Sequence, residues 1–377
     1  MKVFYWAPWI GNIGTIKAVL NSAYILEHYS KNHIKTKIIN SVGEWNKHSN
    51  NSRFIDLNKL KIYKYLPQGG YIFSRFTYII IFLYCLWPLK KMLNNEKPDY
   101  LIVQLITSLP LFLKIIFNFE TKLILRISGY PKMNFLRKFF WKLVSSKIHK
   151  ITFPSNDLYE QFRKLNIFDE KKMSVLYDPV ISYKEISKLK NVGELSKRFK
   201  ENNYILCIGR LTKQKNFSFV INNFKFIKKK FKDIKLVIVG EGELKDKIRK
   251  QIINLNLQNE VILEGFQQNV YKYLKNAKVF ILSSLWEEIG FVIVEAAACN
   301  VNIISSDCKN GPKEFLKSGR GGYLFENNNS SEFLLKFEEF MNDSDNEKLK
   351  KKILTKKETK KFSFLYHYNA FTKILFN

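Results

Sequence analysis

The segment KVFILSSLWEEIGFVIVEAAACN, residues 278–300, joins an apolar strand to an alanine-rich helix through a short loop. A short apolar run before a helical pattern is typical of a parallel strand that helices cover on both faces. Glu287 lies in the loop, whereas Glu295 lies about one and a half turns into the predicted helix. Ligands of open parallel sheets bind where strands turn into helices, so the segment predicts an α/β fold and a ligand site with two carboxylates.

The same strand, loop and helix unit recurs along the whole chain. Further apolar strands are predicted at KVFYWAP, TKIIN, DYLIVQL, TKLILRIS and KITFPS in the first half, and at YILCIGR, IKLVIVG, VILEGF and NIISSD in the second. Helical stretches separate the strands, which predicts parallel, doubly wound sheets. A charged stretch from about Tyr183 to Asn203 divides the two halves.

We therefore predict two Rossmann-like doubly wound domains that face a central cleft. A length of 377 residues suits two domains, because a single core rarely grows beyond about 250 to 300 residues. The predicted boundaries are an N-terminal domain at 1–183, a linker at 184–203, a C-terminal domain at 204–345 and a helical tail at 346–377. The tail ends in an amphipathic, aromatic-rich stretch that is expected to pack back on the N-terminal domain.

The composition limits the kinds of partner and compartment. The formal charge of +30 is shared by both halves, and the sequence shows no helix-turn-helix, zinc knuckle or aromatic RNA-binding strand pair. We therefore expect no nucleic-acid partner, although so basic a surface would be drawn to anionic lipid headgroups. The four cysteines lack metal-binding spacing, and the N-terminal stretch lacks a signal-peptide pattern, so we expect free thiols and a cytoplasmic protein.

The most apolar segment is YIFSRFTYIIIFLYCLWPL, residues 71–89. Arg75 and Pro88 bound its uninterrupted apolar run, which is about 12 residues long and so too short to span a bilayer. Two interpretations remain: a helix buried in the domain, and an aromatic-rich helix that lies in the membrane interface.

Loops after predicted strands carry residues suited to a phosphorylated ligand. Arg210 and Lys215 follow the strand YILCIGR and could converge on a diphosphate, although a loop lysine is commonly only solvated. Gly242 belongs to a GxG pattern that fits either close ligand approach or a tight turn. Gly14 stands at the start of the first helix, where backbone N–H groups seat anions. Glu295, if buried, needs donors such as sugar or ribose hydroxyls.

Other candidate cofactor signals are weak. A dinucleotide fingerprint would need a third glycine where Lys245 stands, so NAD is disfavoured. Asp343 and Asp345 form a DxD pair, but the pair follows a helix rather than a strand, and none of the five histidines is paired at metal-ligand spacing. We therefore expect neither a cofactor nor a metal ion.

Taken together and in this order, the motifs GRL, GEGEL, VILEGF, SSLWEEIGFVIVEA and SSDCKNGP resemble the retaining glycosyltransferases of family 4, which have the GT-B fold. The resemblance spans roughly residues 204–325. The residues of these motifs are similar to those of bacterial enzymes of polysaccharide, lipopolysaccharide or O-antigen assembly. It implies that Glu287 contacts the donor sugar, Glu295 the ribose, and Arg210 with Lys215 the diphosphate. The implied donor site comprises Gly14, Arg210, Lys215, Gly242, Glu287, Gly290, Phe291 and Glu295, with Arg210, Lys215 and Glu287 catalytic.

Two positions depart from the family pattern. Glu288 and Ile289 follow the first acid where many members have Gly-Phe, and Gln104 stands where many have a histidine, so no catalytic base is assigned. The implied activity is retaining, metal-independent transfer of a sugar from a nucleotide sugar, UDP-linked rather than GDP-linked, to a lipid-linked or growing glycan at the inner membrane face. The alternatives are a GT-B relative with epimerase or phosphorylase chemistry, and a non-enzymatic binder of nucleic acid or anionic surfaces.

Overall fold

The computed structural model describes residues 1–9, 14–48, 52–67, 71–117, 119–131, 133–193 and 203–376. In these ranges the chain forms two compact units. Unit 1 consists of Met1–Pro179 together with Phe364–Asn377, and unit 2 of Val180–Ser363. The chain therefore leaves unit 1 once and returns to it at the end.

Unit 1 is built on a parallel sheet, which within the described residues has seven strands in the order β3-β2-β1-β4-β5-β6-β7. The strands are β1 Lys2–Trp6, β2 Lys35–Asn40, β3 Phe54–Asp56, β4 Tyr100–Val103, β5 Lys122–Arg126, β6 Lys150–Phe153 and β7 Met173–Val175. The helices between them are α1 Gly14–Tyr29, α2 Tyr71–Glu96, α3 Ser108–Ile116, α4 Phe135–Val144 and α5 Asn156–Leu165.

Side chains alternate across this sheet, so that both faces are covered. In β1, Val3 and Tyr5 belong to a core shared with α1, whereas Phe4 and Trp6 belong to a core shared with α2, α3 and α4. A strand that is buried on both faces must be apolar at successive positions. This is why the strands of the first half read as continuous apolar runs.

Unit 2 has a second parallel sheet, with six strands among the residues described, in the order β10-β9-β8-β11-β12-β13. The strands are β8 Tyr204–Ile208, β9 Lys235–Val239, β10 Val261–Gly265, β11 Val279–Leu282, β12 Ile303–Ser306 and β13 Tyr323–Phe325. The helices are α6 Tyr183–Leu189, α7 Phe217–Lys230, α8 Lys245–Asn254, α9 Tyr271–Lys275, α10 Phe291–Ala298, α11 Pro312–Phe315, α12 Ser330–Asn342 and α13 Asp345–Glu358. The predicted pair of doubly wound parallel sheets is confirmed.

The unit boundary differs from the predicted one. The chain passes into unit 2 between Pro179 and Val180, not at residue 183. The predicted linker 184–203 contains most of helix α6, which Ser182 caps by accepting a hydrogen bond from the Glu185 backbone N–H. Residues 194–202 of that linker lie outside the described residues.

The predicted tail at 346–377 is divided between the units. Helix α13 packs on α10 in unit 2, whereas the last helix, α14 Phe364–Phe376, packs on α1 in unit 1. The sequence explains the division, because the lysine-rich α13 buries only Thr355, whereas α14 buries an apolar side that includes Phe371 and Leu375.

A buried histidine holds α14 on unit 1. His367 Nδ1 lies 2.8 Å from the carbonyl oxygen of Tyr177, which can only accept, so Nδ1 carries the proton. Nε2 then accepts from the Ser22 hydroxyl at 2.9 Å, and Ser22 lies 2.9 Å from the hydroxyl of Tyr5. Burial lowers the pKa of His367 to about 3, although the bond to Tyr177 opposes this shift and the charge of Arg126 adds to it.

We expect His367 to lower the free energy of unfolding as the pH falls below about 6.5, where an unfolded histidine begins to bind a proton. Folded His367 stays neutral down to about 3, so in this window protons bind preferentially to the unfolded chain. The loss approaches about 1.4 kcal/mol per pH unit. Urea unfolding at several pH values between about 7 and 5 measures it. His367→Gln removes the titrating ring and should flatten the dependence; an equally steep fall in that variant would contradict the assignment.

Helix α2 is longer than the predicted apolar run. It continues through Pro88 to Glu96, and its segment Arg75–Glu96, 22 residues long, has a mean hydropathy of 1.4. By length and composition alone, this is the one helix within the described ranges that could cross a membrane, and 33% of the apolar window is buried. The expected limit of about 12 residues does not hold, because Pro88 does not end the helix.

Candidate active site

Three of the predicted site residues lie where the strand order of unit 2 reverses. From β8 the chain adds β9 and β10 on one side and then crosses to β11, β12 and β13 on the other. In sheets of this topology, the usual ligand position is the crevice outside the carboxyl ends of the two strands at the reversal, here the neighbouring strands β8 and β11. Arg210 and Lys215 lie in the first loop and Glu287 in the second.

A buried ion pair joins these two loops. Lys215 Nζ donates to Glu287 Oε1, and the two side chains are only 13% and 6% exposed. Ser284 Oγ, just beyond β11, donates to the same oxygen at 2.6 Å. In the part of the chain that the structure describes, Glu287 Oε2 accepts no hydrogen bond. The carboxylate is thus held through one oxygen, while the other remains available to a hydroxyl donor.

Further hydrogen bonds fix the two loops against each other. Leu285 N donates to Gln214 O at 2.8 Å, and Gln214 Nε2 donates to Trp286 O at 2.9 Å. Ser283 Oγ donates to Lys215 O at 2.9 Å. The position of the ion pair is therefore set by backbone as well as by side chains.

Gly290 and Phe291 stand at the start of α10, beside the carboxylate. Gly290 has a φ of 78°, and a Cβ added there would lie 3.4 Å from Glu287 Oε2. Glycine therefore leaves room next to the oxygen that lacks a partner. Gly311, after β12, supports the same loop from the other side, since a Cβ there would lie 2.0 Å from Glu288 O.

Glu295 is buried in α10 and meets a tyrosine. The Tyr271 hydroxyl, on α9, donates to Glu295 Oε1 at 3.1 Å. Burial, and next the charge of Glu295, raises the pKa of Tyr271, so the phenol stays protonated and acts as a donor. The sequence predicted ribose hydroxyls as donors for this acid, and it gave no signal for Tyr271. The contact arises only because α9 and α10 are packed together.

The two predicted cations have different environments. Arg210 is exposed, and its side chain has no hydrogen bond or ion pair with any residue described here. The stem of Lys215 packs over Gly209, where an added Cβ would lie 3.1 Å from Lys215 Cε. Gly209, with a φ of 153°, was not singled out from the sequence, although it stands directly before Arg210. Joint action of the two cations on a diphosphate stays a prediction.

The GxG pattern after β9 has a packing explanation. A Cβ at Gly240 would lie 1.9 Å from Gly209 O, and one at Gly242 would lie 2.5 Å from Leu211 O. The loops after β8 and β9 also share a hydrogen bond of 2.9 Å from Leu211 N to Glu241 O. Both glycines thus allow close contact between two backbone segments, and the predicted ligand contact of Gly242 stays a prediction.

The remaining predicted position, Gly14, lies in unit 1. It is the exposed first residue of α1, and the neighbouring Gly11 lies outside the described residues. Gln104 directly follows β4, and its Nε2 donates to Ser128 Oγ at 3.3 Å. Gly14 is therefore placed at a helix start, as predicted, but its contact with a donor stays a prediction.

The DxD pair has a structural role. Asp343 Oδ2 accepts from the Tyr323 hydroxyl at 2.7 Å, and Ser344 caps α13 by accepting from Glu347 N. Over the described ranges, no group of three or more His, Cys, Asp or Glu residues could hold a metal ion. The four cysteines are free thiols, as predicted.

Known proteins share the region that carries this crevice. The family model for glycosyl transferases group 1 matches residues 190–359, which contain every site residue of unit 2. N-acetylgalactosamine-N,N'-diacetylbacillosaminyl-diphospho-undecaprenol 4-alpha-N-acetylgalactosaminyltransferase of Campylobacter jejuni is 30% identical over 258 residues, 66% of this chain and 67% of that protein. The chain belongs to the group 1 glycosyltransferases.

This group 1 glycosyltransferase is also similar to a second relative in sequence and to a solved structure in fold. An uncharacterized glycosyltransferase of Methanocaldococcus jannaschii is 33% identical over 257 residues, or 61% of this chain. The aligned region spans 63% of that relative, which is less than two thirds of its length. The crystal structure of Anabaena HepE in complex with UDP matches with a TM-score of 0.74 at 14% identity, covering 100% of this chain and 99% of that one. The predicted GT-B fold and the group 1 resemblance are thereby confirmed, whereas membership of retaining family 4 stays a prediction.

Proposed function

We propose that this protein transfers a sugar from a UDP-sugar to a lipid-linked or growing glycan, with retention of anomeric configuration, in cell-surface polysaccharide synthesis on the cytoplasmic side of the membrane. The observation that carries the proposal is the buried Lys215–Glu287 pair at the reversal of strand order. The pair supports the proposal because an oxygen that can accept from sugar hydroxyls lies beside a cation that can donate to phosphate oxygens.

Glu287 is suited to hold the donor sugar. Its Oε1 is already engaged by Lys215 and Ser284, which fixes the plane of the carboxylate before a ligand arrives. Its Oε2 can then accept a hydrogen bond from a sugar hydroxyl. A group held in advance in this way loses little entropy when it binds and orients a reactant.

Lys215 and Arg210 are suited to the diphosphate. An ammonium group has three N–H donors, and the Lys215 bond to Glu287 uses one of them. Arg210 adds an exposed guanidinium from the same loop. We assign the backbone N–H groups at Gly290 and Phe291 to the same diphosphate, and Glu295 to the ribose.

These assignments give a balanced transfer step. The bond between the anomeric carbon and the diphosphate oxygen breaks, and the acceptor hydroxyl oxygen forms the new bond on the same face of the sugar. Negative charge grows on the leaving diphosphate, where prearranged cations lower the barrier. The acceptor proton passes to a departing phosphate oxygen, so no protein base is required, and Lys215 and Arg210 supply the positive charge that a metal ion would otherwise bring to the diphosphate.

Two relatives support the choice of substrates. HepE was crystallised with UDP, which favours a UDP-linked over a GDP-linked donor. The name of the Campylobacter jejuni relative describes an acceptor carried on diphospho-undecaprenol, which favours a lipid-linked glycan.

We expect titration calorimetry to show binding of UDP and of at least one UDP-sugar, and weaker binding of GDP and GDP-sugars. EDTA should leave donor binding and transfer unchanged. Incubation with a prenyl-diphosphate-linked glycan should then give a product whose anomeric configuration, read from NMR coupling constants, matches that of the donor. Inversion would refute retention. An epimerised or phosphorolysed sugar without transfer would instead support a GT-B relative with other chemistry.

A further inference from the structure

Three helices of unit 1 present apolar side chains that no other residue in the described ranges covers. α3 packs between α2 and α4, and all three contribute to the core on one face of the sheet. We call their outer side the α2–α4 surface. It is defined by Phe76, Leu83 and Trp87 of α2 and by Leu136, Phe139 and Leu143 of α4, each between 56% and 73% exposed.

These residues form helical stripes rather than scattered positions. In α2, the exposed residues 76, 83 and 87 follow the seven- and four-residue spacing of one helix side, whereas Ile81, Cys85 and Leu89 form a fully buried stripe. In α4, residues 136, 139 and 143 repeat the pattern, and Trp141 and Val144 are buried. Exposed apolar stripes of this kind are typical of surfaces that bind a partner or a membrane.

The charges of the same helices are almost all positive. Glu96 is the one acidic residue in the sequences of α2, α3 and α4. Their basic residues are Arg75, Lys90, Lys91, Lys114, Arg137, Lys138 and Lys142. Lys90 Nζ lies 5.0 Å from the ring centre of Trp87 and 3.7 Å from that of Phe117. Apolar and aromatic side chains mixed with cations are the composition of segments that lie among lipid headgroups.

A basic groove borders one end of this surface. It has a volume of about 840 Å³, and its lining includes Trp87 and three lysines, Lys59, Lys90 and Lys91, against one carboxylate, Glu96. Ammonium groups around an apolar wall fit a phosphate that is attached to an acyl chain.

We propose that the α2–α4 surface docks on an anionic lipid bilayer and lies in its interface. α2 does not cross the bilayer, because its other stripe is buried against the sheet, and removing it would expose the core of unit 1. A second copy of the chain is disfavoured as the occupant, since a symmetric contact would bring cations against cations. The inference deepens the proposed function by naming the surface on which a lipid-linked acceptor would be met.

Vesicle co-sedimentation tests the proposal. The full chain should bind vesicles that contain phosphatidylglycerol, bind pure phosphatidylcholine vesicles less, and lose affinity as salt is raised. The double variant Leu83→Glu with Phe139→Glu should partition at least about tenfold less. Leu335→Glu, on α12 of unit 2 and 62% exposed, is the matched control and should bind like the unaltered protein. Unchanged melting temperatures would show that the variants are folded.

Three outcomes would overturn the proposal. They are unchanged vesicle binding by the double variant, equal binding to neutral and anionic vesicles, and a dimer of the unaltered protein that the double variant converts to a monomer without any vesicle binding. UDP-sugar binding, measured without vesicles, separates this inference from the proposed function. The double variant should still bind the UDP-sugar. If the unaltered protein binds vesicles but no nucleotide sugar, the proposed function is refuted, whereas the proposed membrane docking of the α2–α4 surface is not.

Discussion

Replacing Lys215 with alanine should lower kcat at saturating donor by about 10³-fold, the upper range for loss of one prearranged charge donor. The change removes a cation from the proposed diphosphate site. It also leaves Glu287, only 6% exposed, without its charge partner. Breaking a buried pair from one side costs about 3 kcal/mol of folding stability, so the melting temperature of Lys215→Ala falls as well. Steady-state kinetics and thermal melting of the same preparations measure the two effects.

Arg210→Ala, in the same loop, should lower turnover while leaving folding stability almost unchanged. Its turnover should fall by about 10²-fold. Because Arg210 is exposed and unpaired within the residues described, its stability should change by no more than about 0.5 kcal/mol. Lys213→Ala removes an exposed cation between the two positions and should leave both quantities unaltered. If Lys215→Ala and Arg210→Ala turn over like Lys213→Ala, the crevice is not the diphosphate site.

Replacing Gly240 with alanine destabilises unit 2 by about 3 kcal/mol or more. The added Cβ would lie 1.9 Å from Gly209 O, which is backbone and cannot move aside as a side chain does. The φ of +145° at Gly240 adds strain for any residue with a side chain. Relief requires the loops after β8 and β9 to separate, which would displace Arg210 and, if Arg210 binds the diphosphate as proposed, should lower turnover too. Urea unfolding and kinetics of the purified variant measure both losses.

Gly319→Ala is the matched control for this effect. Gly319 has a φ of +91°, but an added Cβ would meet nothing closer than 4.0 Å. Its substitution therefore costs only the backbone strain, about 1 kcal/mol. Equal losses in Gly240→Ala and Gly319→Ala would show that the close approach of the two loops is not what requires glycine at 240.

The central strands could be predicted from the sequence, whereas the two edge strands of unit 1, β3 and β7, could not. Strands such as β11 are covered on both faces, so VFIL is apolar at four successive positions. The edge strands β3 and β7 are three residues long, and each has exposed or half-buried positions, so neither produces a recognisable apolar run. A strand that is buried on both faces is apolar at successive positions, and this apolar run is what allows the strand to be predicted from the sequence.

The candidate site could be located from the sequence, but its contacts could not. Strand-to-helix loops placed Lys215 and Glu287 correctly at the carboxyl ends of β8 and β11. Their direct pairing spans 72 residues and depends on β11 lying next to β8, with β9 and β10 on the far side. Chain order alone does not give that neighbour relation. The contact between Tyr271 and Glu295 could not be predicted either, because it depends on the packing of α9 against α10.

Because α14 belongs to unit 1 but follows unit 2 in the chain, unit 1 cannot fold completely before unit 2 has been synthesised. The ribosome adds α14 only after all of unit 2 has been translated, and Phe371 and Leu375 share a core with Ala23 and Leu26 of α1. Until the last helix emerges, that side of α1 lacks part of its cover. Unit 1, most of which is synthesised before unit 2, therefore completes its core only after unit 2 has been translated.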